Sequence, residues 1–159
     1  MTGYTRRSSP RLQDYDYRQE AYYFVTVCTR DHACRFGAIR NGIICFSGSG
    51  SLVVETWLSL PSIEPDLHLD AWVVMPNHLH GIVALHAVAG ERPHDLSAIV
   101  GRFKAVSARA INRRLGREGE PLWHRSFYDH IIRNDADLDR VRAYIAANPA
   151  RWEADRFYR

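Results

Sequence analysis

Two histidines one residue apart, His78 and His80, are the residues of this sequence whose type and spacing point most directly to chemistry. They follow Pro76 and Asn77, which favour a turn, and they begin an apolar run typical of a strand. Because side chains alternate between the two faces of a strand, we expect both imidazoles on one face, about 6–7 Å apart. Imidazole is the commonest metal ligand in proteins. The pair therefore predicts half of a metal site.

Two groups of residues are candidates to complete this site. Tyr144 and Asn148 lie four residues apart on a predicted final helix and so share a face of it. If that helix crosses the histidine strand, Asn148 supplies an oxygen ligand and Tyr144 a nucleophile. Tyr128 and His130 form a second polar, aromatic cluster suited to the same roles. Spacing alone does not choose between the two tyrosines.

Such a group of side chains has a definite chemical use. A divalent metal stabilises the negative charge that develops on a phosphodiester under attack. Tyrosine is a covalent nucleophile, weak at its usual pKa of about 10 and helped by nearby positive charge. Attack on DNA would leave a phosphotyrosine and a free hydroxyl. The same residues also have structural interpretations, namely polar pairing for the histidines, core packing for Tyr144 and a helix cap for Asn148.

Length and composition indicate one globular domain. The chain has 159 residues, of which 46% are hydrophobic and 25% charged. No apolar run approaches the roughly 20 residues of a membrane span, and residues 1–10 are polar, so we expect neither a membrane segment nor a secretory signal. Three cysteines without a Cys-x-x-Cys pair argue against a disulfide framework. Cytoplasmic localisation is the expectation.

Arginine dominates the positive charge, since Lys104 is the sole lysine and the net charge is +3. Residues 1–20 combine arginines with tyrosines, a composition that suits phosphate contact and base stacking or, alternatively, a solvated tail. A predicted helix ending near Leu115 also carries one basic face, which is either solvated or in contact with phosphates.

The order of predicted elements indicates an α+β fold with an antiparallel sheet and helices packed on one face. Hydrophobic periodicity and turn residues predict, in the first half of the chain, a strand over residues 22–29, a hairpin over 36–46 turning at Asn41-Gly42, a loop over 47–50 and a helix over 51–60 ended by Pro61. In the second half they predict a hairpin over 67–85, a helix from Asp95 or Ser97 to about Leu115, a strand over 123–133 and a helix from Asn134 or Asp135 that Pro149 ends.

Together these segments resemble a known family. The string Met-Pro-Asn-His-Leu-His-Gly over residues 75–81, followed far along the chain by Tyr-Ile-Ala-Ala-Asn-Pro over 144–149, is much more specific than His-x-His alone. Residues 7–17, 23–29 and 122–130 extend the likeness to nearly the whole chain. The sequence resembles the IS200-like single-tyrosine transposases of the HUH superfamily and, within them, the REP-associated tyrosine transposases of bacteria.

The resemblance implies a role for each candidate residue. His78 and His80 match the two metal ligands of the family, and Tyr144 matches its nucleophile. Asn148 stands where a glutamine ligand is usual; asparagine is one methylene shorter, so His130 is the first substitute to consider. The resemblance also implies a ferredoxin-like, RRM-like palm with an N-terminal hairpin, Mg²⁺ or Mn²⁺, and 5′-phosphotyrosine chemistry on single-stranded DNA with hairpin (palindromic) ends.

We therefore expect a metal-dependent single-strand DNA endonuclease and strand transferase, acting as a monomer or homodimer. Residues 1–20 would form a basic, aromatic arm and residues 21–159 one catalytic domain. The expected DNA contacts are Arg6, Arg7, Arg11, Arg102 and Lys104.

Two alternatives come from other classes of protein. One is a domesticated nucleic-acid-binding module with the same fold that cleaves weakly or not at all, suggested by the asparagine at position 148. The other is an unrelated His-x-His metalloenzyme, cupin-like in ligand spacing. It lacks a convincing downstream glutamate and further histidine, and it leaves the basic arm unexplained.

Overall fold

The computed structural model describes residues 21–86 and 95–159. Six strands, three α-helices and one 3₁₀ helix follow one another along these residues. In chain order they are β1 (Ala21–Cys28), β2 (Gly37–Arg40), β3 (Ile43–Phe46), α1 (Gly48–Ile63), β4 (Leu67–Met75), β5 (His78–Leu85), α2 (Leu96–Leu115), β6 (Tyr128–Ile132), α3 (Asp135–Ala147) and the 3₁₀ helix (Pro149–Ala154).

Four strands form the main sheet, in the order β4-β5-β1-β6, and every neighbouring pair is antiparallel. Leaving the β2–β3 hairpin aside, the chain runs strand–helix–strand–strand–helix–strand with the first and third of these strands in the centre. That is the ferredoxin-like, RRM-like arrangement, so the predicted α+β fold with its antiparallel sheet is confirmed. The N-terminal hairpin is also present and turns at Asn41 and Gly42, both in the left-handed region with φ of 53° and 73°.

Helices cover both faces of this sheet. Trp57 of α1 and Phe103 of α2 pack with Val25 and Leu79 in the larger core cluster, as expected for helices on one face. The third helix, α3, packs on the opposite face in a second cluster, Ile82, Ile132, Leu138, Val141 and Ile145. This placement corrects the expectation that all helices lie on one face. Its physical reason is that seven of the eight residues of β5 are buried, so both of its faces need cover.

The start of α1 also differs from expectation. Residues 47–50 are not a loop, because Ser47 is the N-cap of α1 and its Oγ accepts a hydrogen bond from the Gly50 amide at 3.1 Å. Pro61 lies inside the last turn rather than ending the helix before it. The turn closes all the same, since the Glu64 amide donates to the Leu60 carbonyl at 2.9 Å.

The final strand is shorter than the predicted range of residues 123–133. Only Tyr128–Ile132 pairs with β1, whereas Trp123 makes an isolated bridge to Thr29. The indole of Trp123 donates to Ser107 Oγ of α2 at 2.9 Å, which draws this residue into the core under α2. Within residues 21–86 and 95–159, none of the helices has the length and hydropathy of a membrane span.

Candidate metal and tyrosine site

His78 and His80 begin β5 directly after the turn at Pro76 and Asn77. Across the sheet, His80 pairs with Thr26 and His78 with Cys28 of β1. Both imidazoles are buried, with 0% and 1% exposure. They lie on the same face, as the strand alternation predicts, and their Nε2 atoms are 3.1 Å apart.

Hydrogen bonds at the Nδ1 atoms orient both rings. The amide Nδ2 of Asn77 donates to the carbonyls of His32 and Phe157 at 2.9 and 2.7 Å, so its Oδ1 faces His78 Nδ1 at 2.8 Å. An oxygen acceptor there keeps the proton on Nδ1 and leaves the Nε2 lone pair free. His80 Nδ1 lies 2.7 Å from Thr26 Oγ1, a hydroxyl that accepts from the ring when Nδ1 carries the proton. Such partners fix a ligating histidine in the required tautomer.

Burial keeps both imidazoles neutral. It lowers the pKa of His78 to about 2 and the pKa of His80 to about 3, with the positive charge of Arg156 acting in the same direction. The Nε2 atoms of the two neutral imidazoles lie within hydrogen-bond distance, 3.1 Å apart. With a proton on each Nδ1, both Nε2 lone pairs would be available to a cation held between or beside them. The pair therefore fits a divalent metal.

Asp155 is a further member of this group that the sequence analysis missed. Its Oδ2 lies 3.9 Å from His78 Nε2. Among the described residues, His78, His80 and Asp155 are the His, Cys, Asp or Glu side chains that bring ligand atoms within 4.8 Å of one another. Asp155 follows the 3₁₀ helix near the C-terminus, and no spacing in the sequence relates it to the histidines.

Asn148 is buried at the end of α3 with one unsatisfied oxygen. Its Nδ2 donates to the Tyr144 carbonyl at 2.8 Å, whereas its Oδ1 has no hydrogen-bond partner. A buried polar atom without a partner costs about 1–3 kcal/mol. A cation near this oxygen would remove that cost. The orphaned oxygen therefore supports the expectation that Asn148 supplies an oxygen ligand.

Tyr144, the predicted nucleophile, lies beside the histidine pair. Its ring centroid is 5.4 Å from that of His80 and 6.0 Å from that of Phe24. The residue is 45% exposed. The helix that carries it is tied to β4 by Arg142, which forms two hydrogen bonds with the carboxylate of Asp70 at 2.8 and 2.7 Å.

The second polar cluster is placed differently. His130 Nε2 is bonded to Asp137 Oδ2 at 2.9 Å and is not part of the group around His78 and His80. Tyr128 is exposed at the start of β6, one strand further from His80 than Thr26 is, and its ring lies 6.0 Å from the Arg156 guanidinium carbon. The structure thus brings Tyr144, and not Tyr128, into ring contact with a histidine of the pair.

The predicted DNA contacts on α2 are partly engaged within the protein. Arg102 forms an ion pair with Glu64. The ammonium of Lys104 donates to the Arg125 carbonyl at 3.3 Å, and burial lowers its pKa. Three further predicted contacts, Arg6, Arg7 and Arg11, lie outside the described residues.

Comparison with known proteins gives the family. Residues 55–148 match the family model described as "Transposase IS200 like". The chain belongs to the IS200-like transposase family. An uncharacterised protein of Haemophilus influenzae is 35% identical over 174 residues, which cover 98% of this chain and 95% of that protein. The matched range contains both histidines, Tyr144 and Asn148, and ends before Asp155.

Solved structures share the fold. A REP-associated tyrosine transposase bound to a REP hairpin matches with a TM-score of 0.64 at 22% identity, over 95% of this chain and 74% of that one. A putative transposase from Deinococcus radiodurans matches with a TM-score of 0.54 at 17% identity, over 84% and 93%. This IS200-like chain therefore has the transposase fold over most of its length.

Proposed function

We propose that this member of the IS200-like family is a REP-associated tyrosine transposase that cleaves and rejoins single-stranded DNA bearing hairpin ends. One observation carries the proposal. The Tyr144 ring lies 5.4 Å from that of His80, whose Nε2 faces His78 Nε2 at 3.1 Å on the same face of the sheet. In this proposal the exposed Tyr144 is the nucleophile and lies beside a buried histidine pair that holds the metal.

The residues that would hold the metal are His78 and His80, with oxygens from Asp155 and Asn148. Two imidazoles and two oxygen donors are compatible with Mn²⁺, and the oxygens also with Mg²⁺. When bound, the ion supplies positive charge that polarises the scissile phosphate. Because the Nδ1 partners Asn77 and Thr26 fix both rings, the chain presents its ligand atoms without reorganisation.

Tyr144 performs the covalent step. Its Oη attacks the phosphorus, the new O–P bond forms and the bond from phosphorus to the 3′ oxygen breaks. The tyrosine proton leaves to solvent, and the departing 3′ oxygen takes up a proton as a hydroxyl. The DNA remains attached through a 5′-phosphotyrosine. Attack by the 3′-hydroxyl of another strand reverses the step and rejoins DNA.

The site is complete within one chain, because α3 lies over the histidines of its own sheet. Either a monomer or a homodimer in which each chain keeps its own α3 would serve. We propose further that residues 21–159 form one catalytic domain, that the arm of residues 1–20 contacts the DNA hairpin through Arg6, Arg7 and Arg11, and that the protein works in the cytoplasm.

A cleavage assay tests the proposal. Labelled single-stranded hairpin DNA from the flanks of the gene is incubated with Mn²⁺ or Mg²⁺, and a covalent protein–DNA adduct is sought on a denaturing gel. We expect the adduct with wild type and with the matched control Tyr128→Phe. Tyr144→Phe should abolish it, since the nucleophilic oxygen is gone, and so should the double change His78→Ala/His80→Ala. Loss of the adduct in Tyr128→Phe alone would show that Tyr128, and not Tyr144, is the nucleophile.

One observation favours the non-cleaving binding module as a second candidate. The ring of Phe157 lies 4.7 Å from His78 and 6.4 Å from His80, so the C-terminal segment covers the pair. A scissile phosphate needs this space. Tight hairpin binding that survives Tyr144→Phe and removal of metal, with no adduct from wild type, would establish the binding module instead.

A further inference from the structure

A cavity of about 490 Å³ opens where the first turn of α1 meets the C-terminal end of α2. We propose that this cavity is a second DNA subsite, which binds a backbone phosphate of the hairpin that the transposase processes. The inference rests on the proposed function and adds a contact away from the metal site. Four observations support it: free backbone amides, a serine hydroxyl without a hydrogen-bond partner, arginines without an ion pair and the position of the cavity.

The first turn of α1 presents free amides. Ser47 Oγ accepts from the Gly50 amide at 3.1 Å, and the Ser47 amide itself donates to the Phe36 carbonyl at 3.0 Å. The next two amides, those of Gly48 and Ser49, make no hydrogen bond to any described residue. Unpaired amides at the positive end of a helix dipole attract anions, and α1 has no acidic residue in its first turn.

Ser49 adds a side chain that lacks a partner. It lines the cavity and is 8% exposed, yet its hydroxyl makes no hydrogen bond within the part of the chain that the structure describes. The hydroxyl is therefore free to donate into the cavity. A phosphate oxygen at the helix end would accept from this hydroxyl and from the two free amides together.

Arginine supplies the charge. The guanidinium of Arg114 lies so close to Gly48 that a Cβ built there would be 2.8 Å from Nη2. Arg117 also lines the cavity, and neither it nor Arg114 forms an ion pair among the described residues. The third lining arginine, Arg35, is paired with Asp31 at 2.7 Å. With Glu120 as the one lining acid, the cavity keeps a positive balance suited to phosphate.

A short segment connects this cavity to the metal site. Asn77 accepts from His78 with its Oδ1 and donates with its Nδ2 to the carbonyl of His32. The three residues that follow His32 line the cavity. A single loop therefore separates the histidine pair from the end of α1. In the proposed binding mode the hairpin stem contacts this cavity while its flanking strand lies at Tyr144, which would couple cleavage to the presence of a hairpin.

The test compares Arg114→Gln with the matched control Arg113→Gln. Arg113 is the neighbouring exposed arginine of α2 and does not line the cavity. Binding of a fluorescently labelled flanking hairpin is measured by anisotropy without metal, over a range of salt concentrations. We expect Arg114→Gln to weaken binding and to make the slope of log K against log salt shallower by about 0.7–0.9, the loss of one phosphate contact. Arg113→Gln should keep the wild-type slope.

Gly48→Ala provides a second variant that keeps every charge. The added Cβ displaces the Arg114 guanidinium from the helix end, and alanine is compatible with a first helical turn, so hairpin binding should weaken without loss of thermal stability. Equal effects of Arg114→Gln and Arg113→Gln, or full binding by Gly48→Ala, would overturn the subsite. A third outcome would also overturn it. If inorganic phosphate stabilised wild type but not Arg114→Gln, while both bound the hairpin equally, the cavity would bind a free anion and not the DNA.

The adduct assay separates this inference from the proposed function. An adduct at Tyr144 together with identical salt slopes for the two arginine variants would refute the subsite alone. Slopes that differ as expected, without any adduct, would refute the cleavage step and keep the subsite. Absence of hairpin binding by wild type would overturn both.

Discussion

At the scale of single residues, Asn77 does more than form a turn. Its Oδ1 holds His78 Nδ1, while its Nδ2 donates to the carbonyls of His32 and Phe157. One amide therefore ties the histidine to the preceding loop and to the C-terminal segment at the same time. Because Asn77 is fully buried, water does not compete for these hydrogen bonds. The orientation of His78 thus depends on two segments distant in sequence.

The carboxylate of Asp155 leads to a prediction about metal affinity. Mn²⁺ should raise the midpoint of thermal unfolding of wild type, because a ligand that binds only the folded state stabilises it. Asp155→Asn should weaken Mn²⁺ binding about tenfold, or about 1.4 kcal/mol, since the amide lacks the negative charge. Titration calorimetry and the thermal shift measure this. Glu153→Gln, an exposed change in the same segment, is the control; equal affinities in the two variants would exclude Asp155 as a ligand.

At the scale of elements, α3 is positioned by its apolar stripe and by one ion pair. Leu138, Val141 and Ile145 fix which face of the helix meets the sheet. The two hydrogen bonds between Arg142 and Asp70 then fix where along β4 the helix lies. Asp70 lies within a register shift of β4, where the strand pairing with β5 breaks between Leu69 and Trp72. A bulge of this kind re-aims side chains, which suits a contact to a crossing helix.

Breaking this ion pair should affect both stability and cleavage. The pair is partly exposed, so Asp70→Asn should lower the free energy of unfolding by only about 0.5–1 kcal/mol. Adduct formation should fall further than stability does, because Tyr144 loses its fixed position. Asp139→Asn is the control, since Asp139 meets the same arginine from within α3 at 3.4 Å. Parallel denaturant and adduct measurements that show equal losses in the two variants would contradict a positioning role.

The same pair sets a pH dependence with a definite sign. Hydrogen bonding to Arg142 lowers the pKa of Asp70, so the unfolded chain binds this proton more readily than the folded protein. The stabilisation by Asp70 is therefore complete above its ordinary pKa of about 3.9 and is lost as the pH falls through the lowered folded pKa. The difference in stability between wild type and Asp70→Asn should shrink over that acid range.

Local signals predicted most elements, and the failures have physical causes. The Asn41-Gly42 turn, the alternating face of the histidines and the Asn134 cap depend on near neighbours and were correct. The side on which α3 packs depends instead on the burial of both faces of β5. Asp155 comes near His78 only because the chain turns back after the 3₁₀ helix. Tertiary contacts of this kind leave no periodicity or spacing in a sequence.

At the scale of the whole molecule, β5 connects the two layers of the protein. His80 points to the face that α3 covers, and the next residue, Gly81, meets α1 on the other face. A Cβ built on Gly81 would lie 2.4 Å from Cζ2 of Trp57, a side chain that is 1% exposed. The absence of a side chain at position 81 therefore lets the indole pack directly on the backbone beside His80.

Gly81→Ala should consequently destabilise the entire fold rather than one loop. The methyl group has to displace a buried ring, and overpacking of this kind costs about 1–3 kcal/mol in a close-packed core. Gly101→Ala is the matched control: it lies exposed in α2 with no atom within 4 Å of its built Cβ, and it should stabilise by about 0.4–1 kcal/mol. Trp57→Leu makes room for the methyl group. The double variant Gly81→Ala/Trp57→Leu should therefore lose less free energy of unfolding than the sum of the two single losses. Chemical denaturation of the three single variants and the double variant measures these differences. Strict additivity would show that the side chain at position 81 and the Trp57 indole are not coupled.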